Sequence, residues 1–323
     1  MAVRRALGGL IRAVVLALLS GQGDARAQEL RFPLACELWR DCWIVRYPDS
    51  DPSPAARDPF GGLRTAEGHA ALDIAVADLA AVARGVEVRA VADGVVVAVR
   101  DGEPDVDVRV RGREAVAGRE CGNGVRILHP SGLESRYCHL RRGSVMVREG
   151  DRVTAGALLG LVGLSGRTSF PHLELSLMRD ARPVDPFRER AIRWPAGLDM
   201  RRYPLVVITG LGVAAGPIEG AGLRQGFYAF ARLAPTAPAL VGWVRGFWWQ
   251  KGDRVRFQLH GPKGRVFDRI ITVARDRAFG WFYVGEERPG QPWPEGVYRL
   301  VVTVRRGERS LDLQGGILVA GPR

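Results

Sequence analysis

Lysine is nearly missing from this chain. Of 47 lysines and arginines in 323 residues only Lys251 and Lys263 are lysine, and the arginines are scattered along the sequence rather than blocked together. The formal net charge of +12 therefore describes no concentrated polyanion site, and with no nucleic-acid-binding motif beside it, no nucleic-acid partner is expected. Missing too is an uncharged apolar run of the roughly 20 residues that a membrane-crossing helix needs. The N-terminal run from Ala13 to Leu19 falls far short of it, so no stable membrane anchor is expected. Helical periodicity between Glu37 and Phe187 is confined to Leu79 to Ala83, which leaves little room for a helical fold. No low-complexity tract is present, and 46% hydrophobic residues are enough, at this length, for two domains with separate cores.

What is present begins with an export pattern. Arg4, Arg5 and Arg12 flank the start of the apolar run and Ala25-Arg26-Ala27 is a small-x-small cleavage signature, so residues 1–27 read as a signal peptide and the mature protein as exported, periplasmic or extracellular. Cleavage there removes four arginines and one aspartate, which takes the net charge from +12 to +9. The four cysteines all remain, and an even number in an exported protein favours two disulfides over metal thiolates. Cys36 with Cys42 and Cys121 with Cys138 are the favoured pairs, the latter flanking a hairpin of Val125–His129 and Leu133–Tyr137, though the other two connectivities stay open. A second hairpin is expected where Val86–Val91 turns through Asp93-Gly94 into Val95–Val99, because Asp-Gly between β-branched runs is a strong turn signal. Asp101 to Glu120 is charged and unpatterned, a surface excursion expected to rim the site.

The clearest chemical signal lies in Ser165 to Leu177. From His172 onward it alternates, with Leu173, Leu175 and Leu177 on one face and His172, Glu174 and Ser176 on the other, the period of a strand with one buried and one wet side. His172 and Glu174 then project together from a rigid element, as a metal ligand beside a general acid or base would. His69 and Asp73 stand at i and i+4 where a Gly-rich loop becomes a strand. Tyr137-Cys138-His139-Leu140 brings another histidine to the hairpin's end, with Tyr137 expected on its face. Cys138 is not read as a nucleophile, since neighbours along a strand face opposite ways.

In this order, Gly68-His-Ala-Ala-Leu-Asp73, Gly122-Asn-Gly-Val125, Tyr137-Cys-His-Leu140, Gly160-Leu-Val-Gly163, Ser165-Gly166, Pro171-His172 and Pro183-Val-Asp-Pro186 resemble the lysostaphin-like (LytM-type) zinc metalloendopeptidases, which are peptidoglycan hydrolases. The likeness covers about Phe32 to Phe187. It implies an all-β domain of the duplicated-hybrid-motif kind, zinc held by His69 and Asp73, and His139 and His172 as the catalytic pair. Glu174 stands where the family has a histidine as third ligand. Glutamate is a legitimate zinc ligand, but two carboxylates cancel the ion's formal charge and make it a poorer Lewis acid. Ala71 replaces the family's glycine, and its methyl is expected to crowd Asp73 or restrict φ. The implied function is an exported zinc endopeptidase cutting peptidoglycan stem peptides or cross-bridges. The alternatives are a peptidase-fold module without catalysis that binds or regulates another cell-wall hydrolase, and a structural envelope protein.

The expected layout is a peptidase domain over 28–190, a linker over 191–203 and a β-sandwich over 204–323, loosely similar to immunoglobulin-like accessory domains. Short alternating runs, among them 227–233, 254–259 and 296–304, carry the sandwich reading. Trp243, Phe247, Trp248, Trp249, Trp281 and Trp293 form either a sugar-stacking platform or the sandwich core. His260 reads as a surface residue.

Overall fold

The structure, a computed structural model, describes residues 27–321, so the expected signal peptide lies outside the described residues but for Ala27. It is an all-β molecule. Its described α-helices are the short segments Leu79–Arg84, Val108–Arg111 and Gly220–Gln225.

The N-terminal unit is built on an eight-stranded antiparallel sheet. Its order is Cys42–Arg46, Ala71–Val76, His172–Arg179, Leu133–Leu140, Asn123–Leu128, Gly94–Arg100 and Arg152–Val153, with Arg182–Pro183 turned back onto His172–Arg179. Alternation in the His172 strand sends Leu173, Leu175 and Leu177 into a core with Leu72, Ile74, Ile127 and Tyr137. Each aliphatic side chain so buried contributes about 1.5–3 kcal/mol. The hairpin of Asn123–Leu128 and Leu133–Leu140 forms as expected, and the disulfides are Cys36–Cys42 and Cys121–Cys138.

The second expected hairpin does not form. Glu87–Arg89 pairs with Leu158–Leu161 in a separate two-stranded sheet, while Gly94–Arg100 joins the large sheet between Asn123–Leu128 and Arg152–Val153. An Asp-Gly pair reports that the chain turns, not that its two arms pair. Gly94 is needed here for close approach, since a Cβ would lie 2.6 Å from both Ile127 Cγ2 and the Leu128 carbonyl oxygen.

Beyond residue 204 two sheets face one another. One contains Val207–Ala214, Ala239–Trp249 and Arg277–Glu287. The other contains Arg232–Leu233, Arg309–Val319, Gly296–Arg306, Arg254–Gly261 and Gly264–Thr272. Their inner faces share one core, including Leu240, Val244, Phe257, Leu259, Leu300 and Val302. The strand expected at 227–233 shrinks to Arg232–Leu233, and Phe227 and Phe230 ahead of it are exposed. Trp243, Phe247, Trp249 and Trp293 are buried and Trp248 and Trp281 half-buried, so these aromatics serve packing and form no open platform.

Residues 191–203, expected as a linker, are packed instead. Ile192–Arg193 pairs in parallel with Gln28–Glu29, and Ile192 and Met200 belong to the N-terminal core. Tyr203 stacks on Tyr47 and donates to Asp58 at 2.6 Å. The two units are also joined directly. Arg245 makes a buried ion pair with Asp78 at 2.8 Å, and Val45 and Ala75 pack against Val207 and Phe247.

Candidate active site

Sheet register lines up the site. Arg46, Asp73, Glu174 and Cys138 are successive cross-strand partners, so their side chains rise from one face. The next row on that face is Ala71, Ser176, Arg136 and Arg126. Ala71 is not among the residues with positive φ, so its methyl introduces no strain where a glycine was expected.

His139 reaches this face through a bulge. Cys138 and His139 together span the interval between the pairs Tyr137–Val125 and Leu140–Asn123, where Gly124 alone stands opposite, and His139 adopts φ of 66°. The extra residue rotates the imidazole out of the alternation. Tyr137 and His139 therefore do not share a face, contrary to the sequence pattern. Tyr137 partners Leu175 and points into the core, where its hydroxyl accepts from the Val91 amide at 2.8 Å. Gly124 is obligatory in the bulge, because a Cβ there would sit 2.4 Å from the Tyr137 carbonyl oxygen. Cys138 is held in its disulfide and offers no thiol.

All five expected site residues converge. His69 Nε2 lies 3.2 Å from Asp73 Oδ1, His172 Nε2 3.8 Å from Asp73 Oδ2, and His139 Nε2 3.5 Å from Glu174 Oε2. His69, Asp73 and Glu174 each offer a ligand atom within 4.8 Å of the others. The His69 Nε2 and both Asp73 oxygens are buried without a hydrogen-bond partner among the described residues. Buried orphans of this kind cost about 1–3 kcal/mol each, and a divalent cation between them would satisfy all three. An imidazole and two carboxylates are a suitable donor set for zinc. Arg46 also belongs here, its Nη1 3.4 Å from Asp73 Oδ2. Nothing in the sequence pattern singles Arg46 out, because a register shift between Ile44 and Arg46 is what brings it opposite Asp73.

The face is not wet, as the alternation alone implied. Asp73, His139, His172 and Ser176 are all buried. Phe170 stacks on His172 at 4.3 Å between centroids, and Phe247 from the C-terminal unit packs edge-on against Phe170 at 5.0 Å. His139 Nδ1 donates to the Ser165 carbonyl at 2.7 Å and His172 Nδ1 to the Phe170 carbonyl at 3.0 Å. Both rings thus carry their neutral-state proton on Nδ1 and turn Nε2 to the site. Ser165 is fixed in turn, its hydroxyl donating to the Leu140 carbonyl and accepting from the Asn123 amide.

Burial and charge divide the titrating groups. Burial is the largest influence on each and opposes ionisation. At His172 it prevails and pushes the pKa down to about 4. At His139 the hydrogen bond and charge of Glu174 outweigh it, and the pKa rises above the ordinary 6.5. Glu174 is held below the usual carboxylate range by His139 and then His172, and Asp73 by His69 and His172. The site therefore pairs a readily protonated imidazole with one that stays neutral. A groove of about 700 Å³ opens above, reaching His69, His139 and Glu174. Gly118 and Glu120, from the charged excursion, lie on its rim.

Residues 67–186 match the model of peptidase family M23, and this segment is an M23 peptidase domain of the LytM type. A DD-carboxypeptidase/endopeptidase Mpg of Neisseria meningitidis serogroup B is 33% identical over 103 residues, covering 32% of this chain and 20% of the relative. The peptidoglycan DD-endopeptidase ShyA of Vibrio cholerae serotype O1 is 37% identical over 67 residues, covering 21% of this chain and 15% of the relative. The chain thus spans a fifth or less of the length of these curated relatives. Among solved structures, the catalytic domain of lysostaphin from Staphylococcus simulans aligns at 21% identity with a TM-score of 0.27, covering 44% of this chain and 84% of that one.

Proposed function

We propose that the protein is an exported zinc-dependent endopeptidase acting on peptidoglycan peptides. The observation that carries this reading is the convergence of three orphaned donor atoms, His69 Nε2 and both Asp73 oxygens, with Glu174 and the buried imidazoles of His139 and His172, at the floor of a groove lined by His69, His139 and Glu174. The naming of the Vibrio cholerae relative as a peptidoglycan DD-endopeptidase supports the substrate, and that of the Neisseria relative as a DD-carboxypeptidase/endopeptidase supports peptide hydrolysis.

His69, Asp73 and Glu174 would hold the ion, which supplies Lewis-acid chemistry to water and to the scissile carbonyl. The protein's own groups do the rest. His172, neutral with Nε2 free, is suited to take a proton from the attacking water and pass it to the leaving amine. His139 has Nδ1 fixed on the Ser165 carbonyl and Nε2 on the side of Glu174, where, when protonated, it can donate to the oxygen on which negative charge develops. The Ser165 and Phe170 carbonyls hold both rings in the required tautomer.

Arg46 favours a second reading, a metal-free module that regulates another wall hydrolase, because its guanidinium already places a positive charge beside Asp73. Zinc content decides between them. Elemental analysis and calorimetry on the mature protein are expected to find one zinc per chain, lost in Glu174→Ala and retained in Glu174→His, with hydrolysis of wall peptides abolished in His172→Ala. A wild type without zinc that gains it only as Glu174→His would sink the enzyme reading.

A further inference from the structure

The sequence does not fix which wall peptide this site takes, and the groove itself carries a preference. Five arginines and three glutamates line it. Arg46 is committed to Asp73, and Arg126 to Glu134 at 2.7 Å. Arg100, Arg136 and Arg167 have no carboxylate at ion-pair distance among the described residues. Glu174 is itself engaged with His139.

Arg136 is the best placed of the three. It stands opposite Ser176, one row from Glu174 on the same face, so its backbone is offset from the ligand row by two residues, about 7 Å along the strand. Its described side-chain hydrogen bond is a long one, from Nη2 to Ser176 Oγ at 3.3 Å, and its Nε is buried without a partner. Arg100 stands opposite Gly124, at the far end of the Asp73–Glu174–Cys138 row. Beyond Arg136 the surface continues into a second hollow lined by Arg126, Glu134, Arg136, Met178 and Asp180, where Glu134 is paired with Arg126 and Arg136 is the guanidinium left without a carboxylate. A chain lying across Glu174 toward this hollow would pass the unpaired guanidinium of Arg136, with Glu67 and Glu120 elsewhere on the groove wall.

Resting on the peptidase reading above, we infer that the groove selects peptides with free carboxylates beside the bond to be cut, anchored at Arg136, over neutral glycine bridges. A guanidinium presents a planar fork of donors that matches a carboxylate two bonds at a time. A neutral chain filling the same groove would strip water from Arg136 and return no acceptor of matching charge. Discrimination then comes as much from the penalty on the wrong peptide as from the bond to the right one.

The test crosses protein with peptide. Full-length mature protein carrying His172→Ala, which leaves the peptide intact, is titrated calorimetrically with a stem peptide bearing free carboxylates, with the same peptide amidated, and with pentaglycine. The free acid is expected to bind about tenfold or more tightly than either neutral peptide, the scale of a charge-assisted hydrogen bond. Adding Arg136→Met is expected to erase that preference without weakening the amidated peptide, and Arg136→Lys to restore part of it. Equal affinity for acid and amide, a preference for pentaglycine, no binding of any peptide, or a preference undiminished in Arg136→Met overturns the inference. Selective binding without hydrolysis by the wild type leaves it standing and sinks the peptidase reading. Hydrolysis by the wild type without selectivity does the reverse.

Discussion

His129 and His172 are buried imidazoles whose pKa values lie below the ordinary 6.5, burial being the dominant cause in both. His129 lies outside the groove, its Nδ1 at 2.7 Å from the Asp93 carbonyl and its Nε2 at 2.8 Å from Ser135 Oγ. An imidazole that is harder to protonate folded than unfolded gives stability that is complete above pH 6.5 and is lost as the pH falls through the folded value. His139, whose pKa is raised, works in the opposite direction over the same range, so the contribution of His129 is read as a difference: relative to wild type, the urea midpoint of His129→Asn is expected to fall less, or rise more, between pH 7 and pH 5. An equal slope in that variant would show that His129 takes no part. At this scale the sequence was informative about identity and poor about environment. His69, Asp73, His139, His172 and Glu174 were legible as a set, because motif order links residues that are distant in the chain. Arg46 and Arg136 were not, because a scattered arginine looks the same on a surface and in a groove.

At the scale of elements, the bulge in Leu133–Leu140 decides which face His139 occupies. A left-handed φ is tolerated by asparagine and strongly disfavoured for β-branched residues. His139→Asn is expected to keep the melting temperature near that of wild type, whereas His139→Val should cost about 1–3 kcal/mol, as read by urea denaturation. Both remove the imidazole. Equal stability of the two would mean that the bulge is not held in place. Period-two alternation could not reveal this, since one extra residue inverts every inference made across it. The absent hairpin at Asp93-Gly94 fails for a related reason: the chain does bend there, but Glu87–Arg89 finds its partner in Leu158–Leu161, far along the chain.

For the whole molecule, the C-terminal unit is part of the environment of the site. Phe247 backs Phe170, which backs His172, and Trp248 Nε1 donates to the Val45 carbonyl. The Asp78–Arg245 pair lies in the same contact, with both side chains nearly inaccessible. Asp78 also caps the Leu79–Arg84 helix, accepting from the Ala81 amide at 2.9 Å. Asp78→Asn keeps an oxygen for the cap but leaves Arg245 as an uncompensated buried charge, a change worth about 3–5 kcal/mol. Thermal denaturation should show a clear loss in Asp78→Asn and substantial recovery when Arg245→Met is added. No recovery would mean that the cap, and not the charge, was lost.

The sequence by itself determined the all-β character, favoured two disulfides among three connectivities and gathered the candidate site residues as a set, because alternation, turn residues and short motifs are written locally along the chain. Tertiary structure alone decided which strands pair, how a bulge turns His139 toward Glu174, that the polar row is buried, and that residues 191–203 and the C-terminal unit pack against the first domain. Those outcomes depend on contacts between residues far apart in the chain, where the free energy of burial and register is set by partners that no local pattern names.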